Sequence, residues 1–158
     1  YSYEVSPLGT GGAILNAMVS HGLETCFVMN GDSFIDIDLL GLESAYLSMN
    51  ADLCMTCHFV SRADRYGVVE FDSQNALLGF SEKKAVDIPA WINSGIYMLN
   101  ISIFNGLEVN VGFSFEKDVL NKRFNENFFV HACRDKSFID IGTPESFSAA
   151  SEFFIKFN

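Results

Sequence analysis

The sequence predicts an α/β fold in which helices cover both faces of a mixed, mostly parallel sheet. Strand-like and helix-like segments alternate along the 158 residues, which is typical of α/β architecture. Hydrophobic residues make up 49% of the chain and charged residues 19%, a composition that suits a globular domain with a sizeable core. Two short strand patterns in the middle predict a hairpin inserted into the alternation. We therefore expect residues 1–158 to form a single domain.

The first 60 residues carry the first strand and helix patterns. In order, we expect a short strand near residues 2–5, a helix from 11 to about 21, a buried strand over 25–29, a helix carrying apolar residues 39–49 and an apolar strand over 51–60. Thr10 has a side chain suited to cap the first helix, and Asp36 or Asp38 could cap the second. The glycine-rich stretch PLGTGGAI, residues 7–14, precedes the first helix and lets the backbone approach a neighbour closely.

The rest of the chain predicts the hairpin, three further strands and two helices. The expected ranges are strands 67–72 and 77–81 for the hairpin, a strand over 92–99, a helix over 114–124, strands over 127–132 and 137–141, and a final helix. Pro144 lies in the first turn of that final helix, where its missing N–H has no cost. Phe147, Ala150, Phe154 and Phe157 follow helical spacing and predict a buried stripe.

The charge distribution argues against a nucleic-acid surface. The formal net charge is −10, whereas nucleic-acid binding needs clustered Lys and Arg. Arg62 is the first cation along the chain, so an anionic ligand held by the preceding half would need metal ions, backbone N–H groups or positive charge from elsewhere. No apolar run approaches the ~20 residues needed to span a bilayer, and we expect no membrane partner.

Four cysteines, Cys26, Cys54, Cys57 and Cys133, lie on apolar, strand-like segments. Residues three apart in a strand face opposite sides, so the spacing of Cys54 and Cys57 is poor for chelating a metal. The pattern favours reduced, buried thiols in a cytoplasmic protein.

Two aspartates follow or interrupt apolar strand patterns. Asp32, in NGD, comes directly after the strand TCFVM, and ligands of open α/β sheets bind beyond the carboxyl ends of strands. Asp140 lies within FIDIG, where a buried carboxylate must be paired, hydrogen-bonded or bound to metal. Two such carboxylates suit Mg²⁺, which completes its coordination with water and substrate phosphates. The alternatives are a helix cap at Asp32 and a turn at Asp140.

Three other stretches allow both a functional and a structural interpretation. The glycine-rich stretch lacks the Lys of a Walker loop and has Ile14 at the third Rossmann glycine, so it predicts either a contact with a planar base or a tight turn. Lys83, after Glu82, could bind a phosphate or belong to a solvated strand end. Asn93 and Ser94 could recognise hydroxyl groups or form an ordinary turn. No candidate for acid–base or acyl-enzyme catalysis is visible.

Six short motifs, taken in order, carry a resemblance to a known family. They are PLGTGGAI, NGD, RYGVVEFD, GFSEK, NSGIY and FIDIGTPESF, and they extend over nearly the whole chain. In this order they resemble the sugar-1-phosphate nucleotidyltransferases, which join a nucleoside triphosphate to a sugar 1-phosphate and release pyrophosphate. The resemblance implies a Rossmann-like, three-layer αβα nucleotidyltransferase fold with Mg²⁺ as cofactor. Its guanylyl-transferring members imply GTP and a heptose 1-phosphate as substrates.

The resemblance also implies roles for individual residues. Its nucleotide-binding positions are Leu8, Gly9, Thr10, Gly11 and Asp32, and its sugar-phosphate-binding positions are Gly67, Glu82, Lys83, Asn93 and Ser94. Asp32 and Asp140 match the metal carboxylates, and with Lys83 they form the implied catalytic set. Lys84 departs from the family, in which many members have Pro.

The family's N-terminal glycine-rich signature, whose Arg and Lys face the phosphates, has no counterpart in this sequence. From that difference we expect an N-terminally truncated domain that is weakly active or inactive by itself. Its open sheet edge would invite pairing with another chain, so a homo-oligomer is one expected outcome.

Three alternatives stay open. The first is another base or sugar, as in mannose-1-phosphate guanylyltransferase or in thymidylyl or cytidylyl transferases. The second is a non-catalytic sugar-nucleotide-binding or regulatory protein. The third is an unrelated dinucleotide-binding oxidoreductase, against which Ile14 counts.

Overall fold

The computed structural model describes residues 1–81, 88–123 and 127–157. The elements are α1 (Gly9–His21), β1 (Thr25–Met29), β2 (Ser33–Ile35), α2 (Leu39–Ser48), β3 (Leu53–Val60), β4 (Val68–Phe71), β5 (Leu77–Ser81), β6 (Ala90–Asn100), a 3₁₀ turn (Ile101–Phe104), a π-helical turn (Phe115–Leu120), β7 (Phe128–Cys133), β8 (Phe138–Asp140) and α3 (Pro144–Ile155). No helix in these ranges is long and apolar enough to cross a membrane.

The main sheet has six strands in the order β5-β4-β6-β3-β7, with β1 also paired to β6. The long strand β6 runs antiparallel to β1, β3 and β4, whereas β3 and β7 are parallel. β1, β3, β4 and β7 therefore point in one direction and β6 runs against them. The predicted α/β class and mixed sheet are confirmed, and β4–β5 is the predicted antiparallel hairpin. Because β6 lies in the middle, β3–β7 is the one parallel ladder among the described strands.

Two apolar clusters cover opposite faces of the sheet, and each receives one helix. Leu15 and Met18 of α1 belong to the first cluster, and Leu42 and Tyr46 of α2 belong to the second. Side chains alternate between the clusters along the strands, because successive residues of a strand point to opposite faces. On β6, for example, Tyr97 and Leu99 lie in the first cluster, while Ile96 and Met98 lie in the second. This arrangement is the three-layer αβα architecture.

The N-terminal segment differs from the sequence prediction in two respects. Residues 2–5 form no strand. Thr10 does not cap α1, since the N-cap is Leu8 and it makes no side-chain cap hydrogen bond. The Thr10 hydroxyl instead accepts a hydrogen bond from the Phe115 N–H at 3.0 Å. For α2 the cap prediction is confirmed at Asp38, whose carboxylate accepts from the Leu40 N–H at 3.0 Å.

Two elements predicted to be buried are exposed. In β1, Phe27 is 38% and Met29 is 60% exposed, because among the described strands only β6 pairs with β1. In α3, which begins with a Thr143 capping box and with Pro144, no residue is fully buried. The predicted buried stripe is therefore wrong: Phe147 is 66% exposed, and Phe154 and Phe157 stay 38% and 42% exposed although their rings contact Phe34. The spacing was helical, but the described elements do not cover this face.

Candidate functional site

A strand pair that the sequence analysis did not predict brings the two aspartates together. β2 pairs with β8 in antiparallel register, so that Ser33 lies opposite Asp140. The Ile141 N–H donates to the carbonyl oxygen of Asp32 at 2.8 Å, which extends this ladder by one bond. Asp32 follows β1 through Asn30, whose N–H donates to the Gly95 carbonyl at 2.8 Å. The carboxyl end of β1 and the end of β8 therefore meet at one place, beside Asp32 and Asp140.

Three neighbouring cavities share Asp32. The first, of about 490 Å³, lies between the start of α1 and the end of β1 and is lined by Thr10, Ile14 and Val28 among others. The second, of about 440 Å³, also includes Arg65 and Asp140. The third, of about 170 Å³, is lined by Asp32, Arg65 and Asp140 and extends to the start of β6. We call these the α1 cleft, the acidic cavity and the β6 cavity.

The glycine-rich stretch packs against the chain rather than lying open. The N–H groups of Gly11 and Gly12 both donate to the Phe113 carbonyl, at 3.1 and 3.4 Å. A Cβ on Gly11 would lie 2.3 Å from the Phe113 ring, so a larger residue would fit there only if that ring shifted. Leu8 is buried and Gly9, with φ +65°, faces the Phe113 backbone. Of the four implied nucleotide-binding positions before residue 12, Thr10 is the one that lines the α1 cleft.

Asn93 lines the β6 cavity but its amide is held by the protein. Its Oδ1 accepts from the Gly95 N–H at 3.0 Å, and its Nδ2 donates to the Tyr97 hydroxyl at 2.6 Å and to Glu116 Oε1 at 3.3 Å. Burial strongly raises the pKa of Tyr97, so its hydroxyl stays protonated. Gly95 has φ +83°, and a Cβ there would lie 2.6 Å from Ser33 Oγ. The side chain of Asn93 and the backbone of β6 around it are thus held by contacts within the protein.

The other implied sugar-phosphate-binding positions lie in different surroundings. Gly67 lines the β6 cavity, and its carbonyl accepts from the Asn93 N–H at 3.0 Å. Ser94 is 1% exposed and its hydroxyl donates to Thr56 Oγ1 at 2.7 Å, so this side chain belongs to the core and its predicted ligand contact is wrong. The residues Glu82, Lys83 and Lys84 lie outside the described residues.

Among the lining residues of the β6 cavity that had no assigned role are Arg65, Tyr66 and Glu116. Arg65 Nη2 lies 3.8 Å from Asp140 Oδ1, and the guanidinium carbon of Arg65 lies over the Tyr66 ring, 5.8 Å from its centroid. Burial, and next the Asp140 charge, raise the pKa of Tyr66, so the phenol is a hydrogen-bond donor at neutral pH. Arg65 and Tyr66 belong to the motif RYGVVEFD, which was the available signal. Glu116 carries no such signal, since the pattern of its segment predicts only a helix.

Among the described residues, the site offers carboxylate oxygens as ligands and the positive charge of Arg65. Asp140 Oδ1 accepts from the Gly142 N–H at 2.7 Å, which orients this carboxylate. Within the described residues no group of three or more His, Cys, Asp or Glu could hold a metal ion. A pair of carboxylates with open space beside it suits Mg²⁺ bound jointly by protein and substrate phosphates. The Arg65 guanidinium can bind a phosphate oxygen at the same place.

Comparison with known proteins covers almost the entire chain. The family model described as "Nucleotidyl transferase" matches residues 1–156. Two relatives are named D-glycero-alpha-D-manno-heptose 1-phosphate guanylyltransferase. The one from Campylobacter jejuni is 39% identical over 149 residues, and the match covers 93% of this chain and 63% of the relative. The one from Aneurinibacillus thermoaerophilus is 35% identical over 152 residues, and the match covers 96% and 65%.

The structural comparison gives the same result. HddC from Yersinia pseudotuberculosis superposes with a TM-score of 0.82 at 34% identity, over 98% of this chain and 65% of that one. Its structure complexed with GMP-PN superposes with a TM-score of 0.81. The chain thus spans slightly less than two thirds of the proteins it matches. With the matched family model, the shared fold and the sequence identity together, this chain belongs to the nucleotidyl transferase family.

Proposed function

We propose that the protein transfers a guanylyl group from GTP to a sugar 1-phosphate and releases pyrophosphate. One observation carries this proposal: Asp32 is common to the α1 cleft, the acidic cavity and the β6 cavity. Transfer of a nucleotidyl group requires the nucleotide and the acceptor phosphate to meet in line at one charged point. In this proposal the nucleotide occupies the α1 cleft beside Thr10, and the sugar phosphate occupies the β6 cavity beside Asn93 and Gly67.

We propose GTP and D-glycero-D-manno-heptose 1-phosphate as the substrate pair. The activity for which the Campylobacter and Aneurinibacillus relatives are named supports the heptose, and the GMP-PN complex of HddC supports the guanine base. Mannose 1-phosphate is the alternative acceptor, since several relatives named mannose-1-phosphate guanylyltransferase are 25–29% identical to this chain. The free cysteines, of which Cys54, Cys57 and Cys133 are buried, support a cytoplasmic location.

We propose Asp32 and Asp140 as the ligands of a Mg²⁺ ion. Their backbones are joined through the β2–β8 ladder, and both line the acidic cavity. Two carboxylates are the usual protein share of a Mg²⁺ site that substrate phosphates complete. When bound, such an ion neutralises phosphate charge and stabilises the charge that develops on the leaving pyrophosphate.

The residues of the chain then act mainly by positioning. The acceptor oxygen of a sugar 1-phosphate is already anionic, so no side chain has to remove a proton from it. Arg65 can hold the acceptor phosphate beside Asp140, a position that is open to cavities on both sides. Lys83, outside the described residues, keeps its proposed role at the same phosphate. Catalysis of this kind relies on alignment and charge neutralisation.

Nucleotide binding by the chain is the decisive test, because the chain spans slightly less than two thirds of the relatives it matches. Calorimetric titration with GTP, ATP, CTP and dTTP is expected to show preferred binding of GTP that Mg²⁺ strengthens. Pyrophosphate release is then measured in a chimera that adds the part of the Campylobacter relative that this chain does not match. Turnover with the heptose phosphate is expected to exceed that with mannose 1-phosphate. Absence of GTP binding in both proteins would refute the proposal.

A further inference from the structure

Glu116 lies where the β6 cavity meets the segment that contacts α1. It belongs to the π-helical turn Phe115–Leu120, a type of turn that is frequent at functional sites. Its side chain lines the β6 cavity together with Arg65 and Asn93. The family resemblance gave it no role, and neither does the function proposed above. The inference below deepens that proposed function and depends on it.

The protein holds the Glu116 carboxylate through Asn93. The Asn93 amide donates one N–H to the Tyr97 hydroxyl and the other to Glu116 Oε1, and its oxygen accepts from the Gly95 N–H. Tyr97 is 2% exposed, so this chain of contacts is anchored in the core. Asn93 therefore orients a carboxylate at the cavity wall. An ionised carboxylate is an acceptor only, and its bonds from hydroxyl groups are charge-assisted.

The backbone around Glu116 is fixed by the start of α1. The Phe115 N–H donates to the Thr10 hydroxyl at 3.0 Å, and the Phe113 carbonyl accepts from Gly11 and Gly12. Thr10, on one side of this contact, lines the α1 cleft. Glu116, which follows Phe115 on the other side, lines the β6 cavity. The two cavities are thus joined by a short rigid connection, and Glu116 keeps its place relative to the nucleotide side.

The charges that line the β6 cavity favour one orientation of the ligand. Among its described lining residues Arg65 is the only cation, and it lies beside Asp140, where the proposed Mg²⁺ ion would offset the Asp32 and Asp140 carboxylates. Glu116 adds a carboxylate beside Asn93. A sugar 1-phosphate carries its anion at one end and its hydroxyl groups at the other. The favourable orientation puts the phosphate at Arg65 and the hydroxyl groups at Glu116.

We propose that Glu116 accepts hydrogen bonds from ring hydroxyls of the sugar 1-phosphate and so determines which sugar is bound. A site built to hydrogen-bond a hydroxyl rejects an analogue that lacks it, because the polar group of the site is then left without its partner. Asn93 acts as the positioning residue behind Glu116. The sequence predicts a direct sugar contact for Asn93. In this proposal Glu116, which is hydrogen-bonded to Asn93, makes that contact instead.

The test measures dissociation constants for D-glycero-D-manno-heptose 1-phosphate and its monodeoxy analogues by calorimetry. We expect the wild-type protein to bind one deoxy analogue about 10- to 100-fold more weakly than the parent sugar phosphate. Glu116→Gln is expected to weaken binding of the parent by a similar factor and to lose the discrimination between the two. Affinity for GTP is expected to change by less than about twofold. Glu70→Gln, at an exposed carboxylate on β4, is the matched control and should behave as wild type.

Each other outcome overturns a defined part of the argument. Wild-type discrimination retained in Glu116→Gln overturns the role of Glu116 and leaves the proposed function standing. An equal loss of affinity for GTP and sugar phosphate, with a lower melting temperature, indicates a structural role and also overturns it. Failure of the wild type to bind any sugar 1-phosphate overturns the proposed function itself. If Glu116→Gln does not fold, Glu116→Asp, which keeps the charge and shortens the side chain, must show the same selective loss.

Discussion

Replacement of Gly11 by alanine tests whether the glycine-rich stretch serves packing or a ligand. Gly11 is the third residue of α1, and its N–H donates to the Phe113 carbonyl. An alanine Cβ would lie 2.3 Å from Cε2 and 2.5 Å from Cδ2 of Phe113, and 3.0 Å from the Phe115 nitrogen. The ring would have to move by about 1 Å to reach the ordinary contact range that begins at 3.4 Å.

Two opposing contributions determine how much Gly11→Ala changes the free energy of unfolding. Overpacking of this kind typically costs about 1–3 kcal/mol. Replacing glycine by alanine within a helix returns about 0.5–1 kcal/mol, because alanine loses less backbone entropy on folding. We therefore expect Gly11→Ala to lower the free energy of unfolding by about 1 kcal/mol, the difference between the midpoints of these two ranges.

Gly41→Ala is the matched control for this change. Gly41 is the third residue of α2, as Gly11 is of α1, but the nearest atom to its added Cβ is Asp38 Oδ2 at 3.6 Å. Without a clash, only the helix contribution remains, and we expect stabilisation by up to about 1 kcal/mol. Urea unfolding followed by circular dichroism measures the free energy of unfolding of both variants. The values are compared only if the m-value, the slope of that free energy against urea concentration, stays unchanged. The reasoning fails if Gly11→Ala is as stable as the wild type or more stable.

Three further predictions concern the metal site, the exposed helix and the thiols. Asp32→Asn and Asp140→Asn are each expected to remove most of the gain in GTP affinity that Mg²⁺ produces; calorimetry with Mg²⁺ and with EDTA measures this gain, and its full retention would contradict the assignment. Phe147→Gln is expected to change the free energy of unfolding by less than about 0.5 kcal/mol, because the ring is 66% exposed; a urea titration showing a much larger loss would mean that the ring is packed. Burial raises the pKa of Cys54 to about 12 and that of Cys133 to about 11, so both thiols are expected to resist iodoacetamide near neutral pH and to react faster as the pH rises. Intact-mass measurement counts the adducts before and after unfolding in urea, and rapid native labelling would be inconsistent with these pKa shifts.

Much of the fold could be predicted because its signals are local. The strand before Asp32, the hairpin, the Asp38 cap and the Pro144 helix start each depend on a few neighbouring residues, and all are present in the structure. Burial was harder to predict. The apolar pattern of β1 and the stripe containing Phe147 have the periodicity of buried elements, but what covers an apolar face is decided by other parts of the fold.

The candidate site divides in the same way. The sequence by itself determined the family pattern and marked Asp32 and Asp140, because a carboxylate beside an apolar strand is conspicuous in any reading of the chain. Only the tertiary structure decided that the β2–β8 ladder brings these two residues together, that Gly11 packs on Phe113, and that Glu116 faces a cavity. The reason is physical: each of these contacts joins residues far apart in the chain, and their encounter depends on the register and packing of the whole sheet.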